Sequence, residues 1–426
     1  MKVVILSFTQ AGTRLGERIG SQFRNEGITC QNYAPAGYAF ADILPFPDNP
    51  KELIREGWGE TSFLFIGAVG IAVRYIAPYV KDKFTDSAVV VMDEKAGYVI
   101  PLLSGHLGGA VELSNQLAVW TGAVPVQTTA TDVQGKFAVD VFAKKNHLHF
   151  TEREAAKQIS AAVLDGKQVG LWIGEGLVFE QEDFQKSCLK ELILCGSQEE
   201  LYSFAEEHPV IVITKTAEEG RQFVESLAGS LWGDVRNNVC GCERKPCILL
   251  LYPINITAGV GCRKQISKEL FEKGLNDVLE GYGLEPTQLK QLASIDLKKE
   301  EPAILAYAQK YKVPFATYPA EQLEKITEVS ATSRFVKQVT GVDNVCERAA
   351  RTADADGELL CPKCIREQMT VALTETSNTS ILKRKKVPES FRHSGTFFTK
   401  VSVLLTGVHH ILSHGCGSSW HSGFHS

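Results

Sequence analysis

Residues 65–132 read FIGAVGIAVRYIAPYVKDKFTDSAVVVMDEKAGYVIPLLSGHLGGAVELSNQLAVWTGAVPVQTTATD, and this stretch decides the fold class. It holds three glycine- or hydroxyl-rich turns, each after an apolar run. Gly67-Ala68-Val69-Gly70 follows 63–66, Ser104-Gly105-His106-Leu107-Gly108-Gly109 follows 99–103, and Thr128-Thr129-Ala130-Thr131-Asp132 follows 123–126. Short apolar runs alternating with turns and helical stretches indicate a mainly parallel α/β sheet. Ligands of such sheets bind beyond the carboxyl ends of the strands. Small residues there let backbone N–H groups approach an anion. The three turns are therefore expected to frame one pocket for an anionic ligand, with His106 at its edge.

Upstream, 3–6 reads as a strand and 12–25 as a helix with Leu15, Ile19 and Phe23 on one face. Strands are expected at 63–66, 88–92, 99–103 and 123–126, and a helix at 112–120. Residues 137–232 keep the α/β texture without the dense turns, with helices at 152–164 and 220–227 and strands at 169–173 and 210–214. The polar, cysteine-rich run 233–247 marks a boundary. Beyond it a fresh strand at 248–252 is expected to open a new domain. Gly259-Val260-Gly261-Cys262-Arg263 then leads into an amphipathic helix carrying Leu270, Leu275 and Val278. Strands at 292–295, 315–318 and 369–374 and helices at 302–310, 333–339 and 343–350 complete the pattern. The resulting expectation is an α/β protein of two or three domains with mainly parallel sheets. They comprise an N-terminal domain over 1–136, a central region over 137–240, a C-terminal domain over 248–375, and a divergent, poorly ordered tail over 376–426.

The chain has 426 residues, 44% hydrophobic and 22% charged, with a formal net charge of −5. That balance argues against nucleic acid or an anionic membrane as the main partner. No apolar run approaches the roughly 20 residues of a transmembrane helix. The opening MKVVILSF is too short for a signal sequence, so a cytoplasmic location is expected. The eleven cysteines read as mostly reduced and buried. Cys240, Cys242 and Cys247 form one cluster and Cys361 and Cys364 another. Neither supplies the four local ligands of a zinc site, and no metal is assigned to them. The tail carries six of the ten histidines, at spacings that match no metal-binding finger.

His106 lies among glycines between a strand and a helix, whereas a core histidine usually sits within an apolar face. An imidazole there can give or take a proton at neutral pH, and His106 is the candidate catalytic base. Ser104 can bind ligand or cap the following helix. S-G-H-L-G-G lacks the spacing of the hydrolase nucleophile elbow, so ligand binding or capping is preferred. Gly67, Gly70, Gly105, Gly108, Gly109, Thr128, Thr129 and Asp132 are candidate contacts to substrate. Arg74 can grip a ligand carboxylate or pair with a neighbouring acid. Downstream, Gly261 and Arg263 are read as opening a helix whose N-terminus, with the guanidinium, would clamp a carboxylate. Cys262 reads as a small buried residue and Glu347 as structural. No nucleotide-binding glycine signature is present.

The runs GAVGIAVR (67–74), PLLSGHLGG (101–109) and TTATD (128–132), with AGVGCR (258–263), SIDLK (294–298), Glu301 and TGVDNVCERAA (340–350), resemble the cobalt-precorrin 5A hydrolases of anaerobic cobalamin biosynthesis. The resemblance covers roughly residues 1–375. It implies opening of the δ-lactone of cobalt-precorrin 5A by water, with release of acetaldehyde and formation of cobalt-precorrin 5B. It raises Lys298 and Glu301 to candidate substrate contacts. It implies no added cofactor, because the cobalt arrives inside the substrate. A flat macrocycle edged with carboxylates suits an active site in an interdomain cleft. The resemblance leaves room for a homodimer and for transient contact with neighbouring pathway enzymes. The alternative is a non-catalytic tetrapyrrole-binding carrier, since the C-terminal part alone resembles a small free-standing protein of the aerobic pathway. Two departures from the family pattern are Glu112, where an uncharged polar residue is expected, and the Cys361–Cys364 pair.

Overall fold

The computed structural model describes residues 2–82, 85–150, 152–175, 177, 191–232 and 247–376. Cys240, Cys242 and the tail beyond Thr376 lie outside the described residues. The chain forms three mainly parallel α/β sheets in two compact units. The first unit takes the chain up to Leu148 together with 156–167, and the second takes most of the remainder.

The first unit is built on seven strands, β1 (Lys2–Ser7), β2 (Thr29–Ala34), β3 (Ile43–Pro45), β4 (Thr61–Ile66), β5 (Val89–Met92), β6 (Tyr98–Leu103) and β7 (Val124–Pro125), in the order β3-β2-β1-β4-β5-β6-β7. Successive residues of a strand point to opposite faces, and here both faces are covered. Val3, Ile5, Leu64, Ile66, Val90 and Met92 pack against Leu15, Ile19 and Phe23 of the helix Gln10–Asn25 and Leu113 and Leu117 of the helix Ala110–Thr121. Val4, Leu6, Phe63, Phe65, Val89 and Val91 pack against Ile54 of the helix Lys51–Gly57 and Ala72 and Ile76 of the helix Val69–Ile76. Burial on both faces is why these strands read as unbroken apolar runs rather than as alternation.

One reversal matters for the site. β1 to β5 run parallel, but β6 runs antiparallel to β5, with Val89 opposite Leu103 and Met92 opposite Val99. Only residues 93–97 join the two strands. A parallel crossover needs a dozen or more residues, so this link permits only a hairpin. Asp93 closes it by accepting the N–H groups of Lys95 at 2.9 Å and Tyr98 at 2.6 Å. β7 follows β6 in parallel. The turns after β6 and β7 therefore leave the sheet at the end opposite the turn after β4. The expectation that all three turns frame one pocket is corrected by this reversal.

The second unit carries two sheets. The middle one has the order β10-β9-β11-β12-β8, from β8 (Leu148–Phe150), β9 (Val169–Ile173), β10 (Leu192–Leu194), β11 (Val210–Ile213) and β12 (Ile248–Pro253). β12 was expected to open the C-terminal domain. It instead lies parallel to β11, with Val210 opposite Ile248. Its nearly all-apolar run ILLLYP is suited to an interior position, and five of its six residues are buried. Phe223 of the helix Ala217–Trp232 stacks on Trp172 with ring centroids 4.3 Å apart.

The third sheet has the order β15-β14-β13-β17-β16, from β13 (Ile256–Cys262), β14 (Leu289–Ile295), β15 (Phe315–Tyr318), β16 (Gly357–Arg366) and β17 (Met369–Thr376). One face packs on Phe271, Leu275 and Val278 of the helix Lys268–Glu280 and on Ile304 and Tyr307 of the helix Pro302–Tyr311. The other carries Val345 and Ala349 of the helix Val345–Ala353. Gly259 and Gly261 lie within β13, and the next helix begins only at Lys268, capped by Ser267. Arg263 therefore follows a strand end, and the expected helix-opening clamp is corrected. Gly259 is required by packing, because an added Cβ would come within 1.9 Å of the Cys346 carbonyl oxygen and 2.7 Å of the Ala350 nitrogen.

Cys361 and Cys364 sit on the edge strand β16. Residues three apart on a strand normally face opposite ways. Register shifts before and after Cys361 absorb the difference, so both cysteines pack against one core. Glu347 accepts the Lys363 and Ser330 N–H groups, each at 2.7 Å, and so ties this strand and the 330 loop to its helix. Among the described residues no group of three or more His, Cys, Asp or Glu side chains is placed to hold a metal ion, and no helix is long and apolar enough to cross a membrane.

Candidate active site

The turn after β6 folds back on itself before the helix Ala110–Thr121 begins. The Ser104 and Gly105 carbonyls accept the N–H groups of Ala110 and Val111 at 3.2 and 3.0 Å. Gly108 permits this closure, because a Cβ there would lie 2.4 Å from that of Ser104. Ser104 itself adopts φ of 54°, a left-handed conformation that costs a non-glycine residue of order 1–3 kcal/mol. Two N–H groups of the helix's first turn, those of Ala110 and Val111, are thereby spent on the turn's own carbonyls.

His106 is carried by this turn between two carboxylates. Its Nε2 is 2.9 Å from Asp132 Oδ2, and its Nδ1 is 3.4 Å from Asp140 Oδ1. Asp132 comes from the short helix Ala130–Gln134 and Asp140 from the helix Val139–Lys145. The imidazole is 10% exposed. Hydrogen bonding to Asp140, and then to Asp132, outweighs burial and pushes its pKa up to about 9. Both ring nitrogens face carboxylate oxygens, an arrangement that favours the protonated ring. That preference weighs against His106 as the resting-state base, and the carboxylates beside it are the other candidate proton acceptors.

Two hydroxyls next to this group are orphaned. Among the described residues, Ser104 Oγ and Thr131 Oγ1 have no hydrogen-bond partner, and their residues are 8% and 7% exposed. A buried hydroxyl without a partner is costly, and natural folds seldom keep one without a use. Thr128 and Thr129 are exposed on the same segment, and Thr129 Oγ1 lies 3.9 Å from where a Gly105 Cβ would be. Lys144 Nζ donates to the His106 carbonyl at 3.2 Å and lies 3.8 Å from Glu112. Glu112, an outlier against the family pattern, thus has a basic neighbour in this structure.

The structure brings together Ser104, Gly105, His106, Gly108, Gly109, Thr128, Thr129 and Asp132. It places Gly67, Gly70 and Arg74 at the other end of the sheet. There the Gly67 N–H donates to Met92 at 2.9 Å, and the exposed Arg74 donates to the Gly70 carbonyl of its own helix at 3.0 Å. Asp140 and Lys144 were missed. Asp140 and Lys144 look in the sequence like charges on the polar face of a short helix, and no local signal separates them from solvated ones. Thr131 lies inside a motif already marked.

The second motif set forms its own group at the carboxyl ends of β13 and β14. Glu301 is 6% exposed and accepts from Lys298 Nζ and the Gln265 N–H, each at 2.9 Å. Arg263 beside it is exposed. Burial pushes the Cys262 thiol up to about 11, so it stays protonated and is a poor nucleophile.

The raised pKa of His106 has a consequence for stability. The folded state prefers the charged form, so the contribution is full below pH 6.5 and lost as pH rises through about 9. It amounts to something on the order of 2–3 kcal/mol. Denaturant midpoints at pH 6 and pH 9.5 should show this drop in the parent and a much smaller one in His106→Gln. An equal drop in both would place the titrating group elsewhere.

Family models match along the chain. "Cobalamin synthesis G N-terminal" covers residues 52–132, "Cobalamin biosynthesis central region" 137–224 and "Cobalamin synthesis G C-terminus" 256–374. The cobalt-precorrin-5A hydrolase of Salmonella typhimurium is 32% identical over 374 residues, spanning 87% of this chain and 97% of that protein. The cobalt-precorrin-5A hydrolase of Priestia megaterium is 32% identical over 352 residues, 81% of this chain and 87% of that protein. Protein CobE of Sinorhizobium sp. is 33% identical over 141 residues, 32% of this chain and 89% of that protein.

Proposed function

The chain belongs to the cobalt-precorrin-5A hydrolase family, and on that premise we propose that it hydrolyses the δ-lactone of cobalt-precorrin 5A and releases acetaldehyde. The observation that carries the site assignment is His106 held between Asp132 and Asp140 beside the orphaned hydroxyls of Ser104 and Thr131. Lactone opening needs a proton acceptor for the attacking water, donors for the tetrahedral oxyanion, and a proton for the departing oxygen. Asp132 takes the proton from water. The hydroxyls of Ser104 and Thr131 donate to the oxyanion. The His106 imidazolium protonates the C20 oxygen as the acyl–oxygen bond breaks. Removal of the proton from the resulting C20 carbinol then expels acetaldehyde. The carbon–carbon bond breaks and the macrocycle takes up the electron pair. One water is consumed per acetaldehyde formed, and no added cofactor enters the balance because the cobalt belongs to the substrate.

The second unit carries a cationic group of its own, at the ends of β13 and β14, that suits a carboxylate. Arg263 offers an exposed planar fork suited to bidentate binding. Lys298, oriented by Glu301, offers a second cation, and Gly261 leads the chain to both. Thr128, Thr129 and the glycines of 105–109 border the reacting ester. Gly67, Gly70 and Arg74 take no part in the chemistry in this reading. In this reading the protein acts on a small-molecule substrate, in the cytoplasm.

The purified protein given cobalt-precorrin 5A should release one acetaldehyde per substrate consumed, read by a coupled alcohol dehydrogenase assay. A carrier would bind the same compound and return it unchanged, with no acetaldehyde.

A further inference from the structure

The first family model ends at residue 132 and the central one begins at 137, yet the helix Val139–Lys145 belongs to the same compact unit as the His106 turn. Two of its residues, one helical turn apart, reach that turn. Asp140 Oδ1 lies 3.4 Å from His106 Nδ1, and Lys144 Nζ donates to the His106 carbonyl at 3.2 Å. Residues at i and i+4 of a helix share a face. The helix therefore holds both the ring and the backbone of one residue. Asp140 also accepts the Val141 N–H at 2.9 Å, which fixes its carboxylate.

We propose that Asp140 is a positioning residue for His106, supplied by the start of the central region, which completes the N-terminal catalytic turn with Lys144 as its backbone anchor. This rests on the reading of His106 as the catalytic proton donor. The physical reason lies in the two ring nitrogens. Asp132 alone would fix one N–H and leave the other nitrogen free to lose its proton or rotate. A second carboxylate on Nδ1 fixes the ring plane and keeps the second proton in place. The charged groups around the ring are Asp132 on the helix Ala130–Gln134, Asp140 and Lys144 on Val139–Lys145, and Glu112 on Ala110–Thr121, which meets Lys144 at 3.8 Å. Glu112 is 84% exposed and contributes little. Burial lowers the proton affinity of the ring, and the two aspartates outweigh it.

The test uses the full chain with ring-labelled histidine and follows the His106 resonance against pH, assigned by its loss in His106→Gln. In Asp140→Asn the titration midpoint should fall by at least about one unit. The alkaline limb of kcat should move down by the same amount, with kcat lower by about 10-fold or more at neutral pH and KM nearly unchanged. Asp140→Glu should restore most of both. An unchanged His106 midpoint in Asp140→Asn overturns the proposal, and so does a loss of kcat with the alkaline limb unmoved. Asp140→Ser removes the charge with less bulk and serves the same test if the asparagine variant does not fold. If the parent releases no acetaldehyde, the functional reading fails, while the NMR titration still decides whether Asp140 holds the ring.

Discussion

His106→Ala should lower kcat for acetaldehyde release by about 10²–10⁴-fold, the usual worth of a positioned proton-transfer group. The reason is geometric as well as electrostatic. The ring sits between Asp132 and Asp140 at 2.9 and 3.4 Å, so the substitution removes the proton donor and leaves two carboxylates facing each other across a gap. Like charges so placed repel each other, and the Asp132 carboxylate loses its ring partner. His106→Gln separates these effects, because its amide can still donate to one carboxylate without supplying an acidic proton. Both variants should lose turnover to a similar degree, while His106→Gln keeps a denaturant midpoint close to the parent's at pH 9.5, where the parent imidazole is itself losing its charge. Substrate affinity measured by titration should change little in either. Turnover near the parent's in His106→Gln would reduce His106 to a structural tie between three segments.

Gly259→Ala should destabilise the third sheet by more than about 3 kcal/mol, beyond the usual range for an overpacked core. The added methyl carbon would meet the Cys346 carbonyl oxygen at 1.9 Å and the Ala350 nitrogen at 2.7 Å. Both are backbone atoms of the helix Val345–Ala353 and cannot rotate away. The helix would have to lift from β13, breaking the packing of Val345 and Ala349 on that face. Gly261→Ala is the control. Its methyl would meet the Thr370 hydroxyl oxygen at 2.9 Å, the movable end of a side chain, so a cost of about 1 kcal/mol or less is expected. Urea unfolding of the two variants should differ clearly in midpoint. Equal midpoints would mean that the helix does not sit on Gly259 in solution.

These two residues show how unevenly the site was legible. Gly259 and Gly261 were read as part of an anion-binding turn, because a glycine marks close approach without saying what approaches. Here it is a helix of the same chain. His106 was legible as a site candidate from its glycine neighbours. Its protonation was not, because that depends on Asp132 and Asp140, 26 and 34 positions away in sequence, which the sheet brings to its two ring nitrogens.

The sequence by itself determined the strands and helices with strong local patterns, whereas β2, β3, β8, β10 and β16 were not read from it. The apolar runs at β1, β4, β5 and β9, and the helical faces of Leu15, Ile19 and Phe23 or Leu275 and Val278, are local patterns, and burial enforces them wherever they are placed. It also determined the family, through motifs spread along the chain. Only the tertiary structure decided which ends of the strands meet. The five-residue link at 93–97 reverses β6, which carries the His106 turn away from the Gly67 turn and toward Asp140. It likewise decided that β12 closes against β11 rather than opening a new sheet. The physical reason is common to both. Secondary structure follows from the periodicity of neighbours in sequence, whereas strand direction and pairing are set by backbone hydrogen bonds between distant segments. The charge of a buried imidazole depends in turn on which carboxylates that pairing delivers.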